Sequence, residues 1–179
     1  MEIRECIMGR RSIRRFNGES IPEETLREIV EEASFSPSWK NTQIVRYVVV
    51  KDKELKEKIS KCTTIWAGNE PIINSCDALV CVTVIKGRCG FERDGSYSTY
   101  RKDTWQMFDA GIASQTFCLS AHAHGIGSVI LGLFDADSIN ELLNLPEDRE
   151  LVALIPIGYP AETPVAPKRK SVDDLLTIL

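Results

Sequence analysis

The sequence predicts an α+β protein, a mixed central sheet flanked by helices on both faces. Three observations lead there. Residues 47–50 and 78–85 are compact runs of aliphatic, β-branched and aromatic side chains, the pattern of buried strands. Leu26, Ile29, Val30 and Ala33 fall on one face of a helix. Strands and helices then alternate irregularly, which argues for mixed layers. At 179 residues and 20.1 kDa the chain suits one domain, since a domain takes roughly 100–200 residues.

The elements follow in order. Residues 3–8 predict a short amphipathic helix, followed by a basic loop and an Asn17-Gly18 turn. Ser20-Ile21-Pro22-Glu23 has capping-box spacing with proline in the first turn. The helix it opens ends near Ser34, because Pro37 disfavours helix at the residue before it. After the strand at 47–50, Asp52 caps a charged helix through Lys61. The strand at 78–85 leads into a polar loop or lid at 86–98. Residues 104–123 form the longest helix, apolar enough to be buried nearly all round, with Trp105, Phe108, Ile112, Ala113, Thr116, Leu119 and Ala123 on one face. Gly125 and Gly127 end it and open a strand through Leu131. Asp135 or Asp137 caps a helix to Leu143, and residues 151–157 make a last strand. Ser171-Val172-Asp173-Asp174 predicts a short terminal helix.

Composition removes several classes. Twenty-two Lys and Arg against 26 Asp and Glu leave a net charge of −4, which disfavours a general nucleic-acid binder. The opening residues hold no apolar run of signal-peptide length, and residues 78–85 fall far short of the roughly 20 needed to span a membrane. A cytoplasmic protein with no membrane partner is expected. The six cysteines form no C-x-x-C pair, and His122 and His124, two apart on a helix, share no face, so reduced and mostly buried thiols are expected and no metal.

Four features carry chemistry. Gly9-Arg10-Arg11-Ser12-Ile13-Arg14-Arg15-Phe16 packs four arginines and a serine into six residues, a set compact enough for one phosphate. Taken alone it is equally a solvated basic loop. Pro37-Ser38-Trp39-Lys40-Asn41-Thr42-Gln43 offers short polar groups that could read a heterocycle edge, or could be an ordinary Asx/ST turn. Gly132, closing the run from Gly125, would let backbone amides approach a flat ligand, though a plain helix-to-strand turn explains the glycines too. Pro167-Lys168-Arg169-Lys170 is a second basic cluster, usually a solvated tail.

In this order the features resemble the nitroreductase-like FMN-dependent oxidoreductases, along essentially the whole chain. The most specific string is Arg10-Arg11-Ser12-x-Arg14-x-Phe16. Pro37-Ser38-x-x-Asn41-x-Gln43, Asp109-x-Gly111, Gly125-x-Gly127-Ser128, Gly158-Tyr159-Pro160 and the closing basic triplet follow. One departure is Gln43-Ile44-Val45, where the family often continues Gln-Pro-Trp.

The resemblance implies a nitroreductase-like fold and a homodimer with FMN at two interface sites. It places Arg10 and Ser12 on the FMN phosphate and ribityl chain, with Arg11 adjacent. Arg14 would lie near N1 and O2 of the isoalloxazine, where a cation stabilises the reduced ring. Pro37, Ser38, Trp39 and Asn41 would reach the flavin from the partner subunit. Ile130, Leu131 and Gly132 would face N5 and O4. Lys168 and Arg169 would close the phosphate site, and Asn69 would touch the ring or ribityl chain. Hydride would pass from NAD(P)H through flavin N5 to a nitroaromatic, quinone or flavin, with no side chain as acid or base. Tyr97, Tyr100 and Arg101 are placed by position near the acceptor. Dehalogenation, azoline oxidation, flavin destruction and flavin-based redox sensing with little turnover are the alternative activities.

Overall fold

Four strands form one sheet in the order β1-β2-β4-β3, with β1 at Val45–Val50, β2 at Ala78–Ile85, β3 at Gly127–Ser128 and β4 at Arg149–Gly158. The computed structural model describes residues 2–63 and 66–179. All pairings between the named strands are antiparallel, and among the described residues only the isolated Ser12–Ser128 bridge is parallel. The expected mixed character therefore reduces to that one contact. Every residue of β2 is buried, which explains its unbroken apolar sequence: a strand covered on both faces has no polar side to alternate.

Helices cover both faces, as expected. Against one face, Ala78, Val80 and Val82 meet α2 (Glu23–Ser34) and α5 (Trp105–Ala123) through Leu26, Ile29, Ala33, Phe117 and Ala121. Against the other, Leu79 and Cys81 meet α3 (Lys53–Lys61), α4 (Asn69–Ser75) and α6 (Ala136–Leu143). Each fully buried aliphatic side chain contributes about 1.5–3 kcal/mol. A bulge opposite Val82 and Thr83 shifts the β4 register, so Leu151 and Leu154 share a face despite their odd spacing. The remaining helix, α1 (Ile3–Gly9), packs on α5, and the Cys6 thiol donates to the Leu119 carbonyl.

Caps agree with the sequence at two helices. Asp52 accepts from Leu55 N–H, and Asp135 from Ser138 N–H. Elsewhere the structure differs. The Ser20 box does not form: Pro22 occupies the N-cap and the Ser20 hydroxyl accepts from Lys51 Nζ instead. The strand expected through Leu131 stops at Ser128, and Leu131 returns only as an isolated bridge to Leu154. Ser171 and Asp174 do hydrogen-bond reciprocally, but only a turn follows, because the side chains beyond have no core to bury against.

The long helix differs most. In one chain α5 is buried on one side only, through Gln106, Asp109, Ala110, Ala113, Ser114, Phe117, Cys118, Ser120 and Ala121. Of the face read from the sequence, only Ala113 is buried; Phe108 is 59% exposed. A helix apolar on every side carries no periodic signal to say which side meets the sheet. Five of the six cysteines are buried and all six are free thiols. Among the described residues, no helix is long and apolar enough to cross a membrane.

Candidate functional site

The arginine-rich segment leaves α1 and runs extended along the exposed edge of the sheet. Ile13 N–H donates to the Ser128 carbonyl at 3.0 Å, Asn17 N–H to Tyr159 at 3.0 Å, and Ala161 N–H to Arg15 at 2.9 Å. Two glycines that pair across β3 and β4 let it lie this close. A Cβ at Gly127 would come within 2.9 Å of three Ile13 carbons, and one at Gly158 within 2.8 Å of the Phe16 ring. Docking of Ile13 and Phe16 thus sets Ser12 beside Ser128.

Three arginines hold different positions on this segment. Arg10 is half-buried beside α5. The Arg11 guanidinium turns back to the Met8 and Arg10 carbonyls at 2.6 and 2.9 Å, a cation placed at the end of α1. Arg14 is exposed, with Nη1 3.4 Å from the Ser12 carbonyl, while its backbone N–H donates to Glu162 at 2.7 Å. His122 on α5 joins the group, its Nε2 packed against Gly9. Partial burial, then the charges of Arg10 and Arg11, push its pKa below the ordinary histidine value. Sequence reasoning weighed His122 only as a metal ligand; nothing local marks a contact across more than a hundred residues.

The Ile130–Gly132 stretch begins two residues after Ser128. Leu131 exchanges both backbone hydrogen bonds with Leu154, at 2.8 and 3.0 Å. Alternation along an extended chain then turns the amides of Ile130 and Gly132 outward, where both residues are exposed. Among the described residues, nothing beyond its two chain neighbours lies within 4 Å of a Cβ built on Gly132. Asn69 is 2% exposed and its amide donates to the Leu133 carbonyl at 3.1 Å, so it braces this stretch from behind.

The second polar segment, residues 37–43, sits elsewhere. Lys40, Asn41 and Gln43 all have left-handed backbones, with φ of 45°, 55° and 47°. Such conformations in non-glycine residues persist only where surrounding contacts hold them. Here the Ser38 hydroxyl accepts from Gln43 N–H at 3.1 Å, and Trp39 N–H donates to the Asp109 carboxylate at 3.0 Å. The Trp39 ring packs on Trp105 with centroids 4.7 Å apart. Asp109 and His122 stand about 20 Å apart along α5, from thirteen residues at the helical rise. The Arg10–Ser12 group and the 37–43 segment therefore occupy opposite ends of that helix.

Residues 86–98, expected as a loop or lid, form a loop. Its stem is held by the Gln106 side chain on Gly87 N–H at 3.0 Å, and Phe91 pairs with Tyr97 at a centroid distance of 4.9 Å. Lys40 joins it to the 37–43 segment through Glu92 at 2.7 Å. Tyr97, Tyr100 and Arg101 stand exposed around it, with Arg101 over the Tyr100 ring. Lys168 and Arg169 are both exposed on the C-terminal segment.

The nitroreductase family model matches residues 7–67 and 63–159. The chain belongs to the nitroreductase family. A Methanothermobacter thermautotrophicus protein assigned as an NADH dehydrogenase/NAD(P)H nitroreductase is 30% identical, over 92% of this chain and 80% of its own length. The Bacillus subtilis FMN reductase [NAD(P)H] is 29% identical, over 90% of this chain and 67% of its own. A Desulfovibrio desulfuricans structure, assigned as a nitroreductase and solved in complex with FMN, superposes with a TM-score of 0.81 at 27% identity, covering 100% of this chain and 97% of that one. For a nitroreductase-family chain, the antiparallel sheet clad by helices on both faces is the expected architecture.

Proposed function

We propose that this protein is an NAD(P)H-dependent FMN oxidoreductase, a single-domain cytoplasmic homodimer that reduces a small acceptor such as a nitroaromatic, quinone or flavin. The observation that carries the reading is the Arg10–Ser12 group pinned beside the outward amides of Ile130 and Gly132. The residues present fit FMN: guanidinium and hydroxyl donors suit its phosphate, and an open glycine beside free amides suits a flat ring edge with acceptors. When bound, FMN supplies reversible hydride uptake and release at N5.

The chain's own residues do the holding. Arg10 and Ser12 grip the phosphate, with Arg11 adjacent and Lys168 and Arg169 closing the site from the C-terminal segment. Arg14 supplies positive charge on the N1 and O2 side. Ile130, Leu131 and Gly132 present backbone to the N5 and O4 edge, braced by Asn69. No side chain is assigned as acid or base.

Two features support a site completed by a second copy. The Pro37, Ser38, Trp39 and Asn41 segment is held at the opposite end of α5 from its own Arg10, about 20 Å away along the helix. An antiparallel pair of α5 helices would bring that segment to the partner's flavin. The open side of α5 and the exposed apolar side chains of the C-terminal segment supply surface for such a pair.

The test is direct. Purified protein should be yellow, and anaerobic NADH or NADPH should bleach its visible band, with parallel double-reciprocal lines when an acceptor is added. Protein that stays colourless after incubation with FMN refutes the reading.

A further inference from the structure

We propose that Asp109 is a positioning residue for the reaction, the carboxylate that fastens the 86–98 loop and the 37–43 segment into one unit. What the unit covers rests on the reading above; the fastening is geometric.

Asp109 is 3% exposed on the second turn of α5. Both of its oxygens accept from Trp39 N–H, at 3.1 and 3.0 Å, and Oδ2 also accepts from the Cys89 thiol at 3.1 Å. One carboxylate thus ties the root of the lid to the root of the other segment. Among the described residues, no Lys, Arg or His forms an ion pair with it. A buried carboxylate without a cation is costly and is kept for what it accepts. An amide of the same shape offers one acceptor oxygen and sets an NH2 group against the donors. Burial, then the hydrogen bond and charge of Asp109, push the Cys89 thiol up to about 12, so the S–H remains a donor at working pH.

The backbone it holds is one that would not persist unaided. Lys40, Asn41 and Gln43 are left-handed, and the turn is closed internally by Asn41 N–H to Ser38 and Thr42 N–H to Trp39, at 3.0 and 2.8 Å. Those bonds shape the turn without fixing it to anything. The Trp39 N–H bond joins it to α5, and the Trp39–Trp105 contact adds packing at the same place. At the rim the Lys40–Glu92 pair joins the two segments again, but half-exposed and open to screening. The inner tie is therefore the stronger, and it stands about 20 Å along α5 from the phosphate-gripping arginines.

Asp109→Asn tests this in the FMN-loaded dimer. FMN should stay bound through the phosphate contacts, its affinity weakened less than kcat/KM, which for a quinone acceptor falls about 30- to 100-fold, the scale of an ångström misplacement. The circular dichroism of the flavin band should change at temperatures where the far-ultraviolet spectrum does not. Cys89→Ala cuts only the lid arm, and should raise the acceptor KM about threefold to tenfold with kcat kept. Wild-type values of kcat/KM and of the flavin-band dichroism in both variants would overturn the proposal. Should Asp109→Asn fail to fold, an unchanged KM in Cys89→Ala overturns it alone. Failure of the wild type to bind FMN refutes the flavin reading instead.

Discussion

Gly127→Ala probes the docking that places the arginine segment. A Cβ there would sit 2.9 Å from Cβ, Cγ1 and Cγ2 of Ile13, where carbons rest at about 3.5–4.0 Å. Ile13 is branched at Cβ and buried, so no rotamer relieves all three contacts, and the segment itself must lift. Such overpacking costs about 1–3 kcal/mol, offset by roughly 0.4–1 kcal/mol from stiffening the unfolded chain. A net loss of about 1–2 kcal/mol is expected in urea unfolding of the apoprotein. Because Ser12 precedes Ile13, the same displacement should weaken FMN binding about fivefold to thirtyfold in a fluorescence titration. Gly132→Ala is the matched control: among the described residues nothing beyond its chain neighbours lies within 4 Å of its Cβ, so apoprotein stability should hold while FMN affinity drops. Wild-type stability and affinity in Gly127→Ala would show that the close approach does not position Ser12.

Other expectations follow from the same geometry. On the proposed reading, Arg10→Ala or Ser12→Ala removes a phosphate contact worth about 1.5–3 kcal/mol, so FMN dissociation constants should rise about tenfold or more; Arg14→Ala should instead shift the flavin reduction potential. His122 has a folded pKa below its unfolded one, so its contribution to stability is complete above about pH 6.5 and is lost as the pH falls through the lowered value. Thermal melts of the apoprotein should show that acid-side loss, and His122→Asn should flatten it. Deleting residues 171–179, whose apolar side chains are exposed in one chain, should leave the far-ultraviolet spectrum unchanged while weakening the proposed dimer in sedimentation.

Local patterning carried most of the secondary structure. The strand at Ala78–Ile85 and the cap at Asp52 were readable because they depend on neighbours within a few residues, and the second cap was narrowed to Asp135 or Asp137, of which Asp135 serves. The Ser20 box failed because Lys51, distant in sequence, takes the serine hydroxyl. The buried face of α5 was hidden by its all-round apolar character. Gln106 and Asp109 were the available clue, since polar side chains in such a helix must find partners if buried.

By itself the amino-acid order determined which segments carry charge, backbone freedom and apolar periodicity, and so the family resemblance and its residue types. Tertiary structure alone decided that Gly127 and Gly158 receive Ile13 and Phe16, that His122 stands beside Gly9 and the neighbouring arginines, and that Asp109 holds Trp39 and Cys89. It also separated the two polar segments to opposite ends of α5. The physical reason is one of range: propensities and caps act over a turn or two of chain, whereas close approach, burial of a carboxylate and the shift of a histidine arise only once distant segments share a boundary.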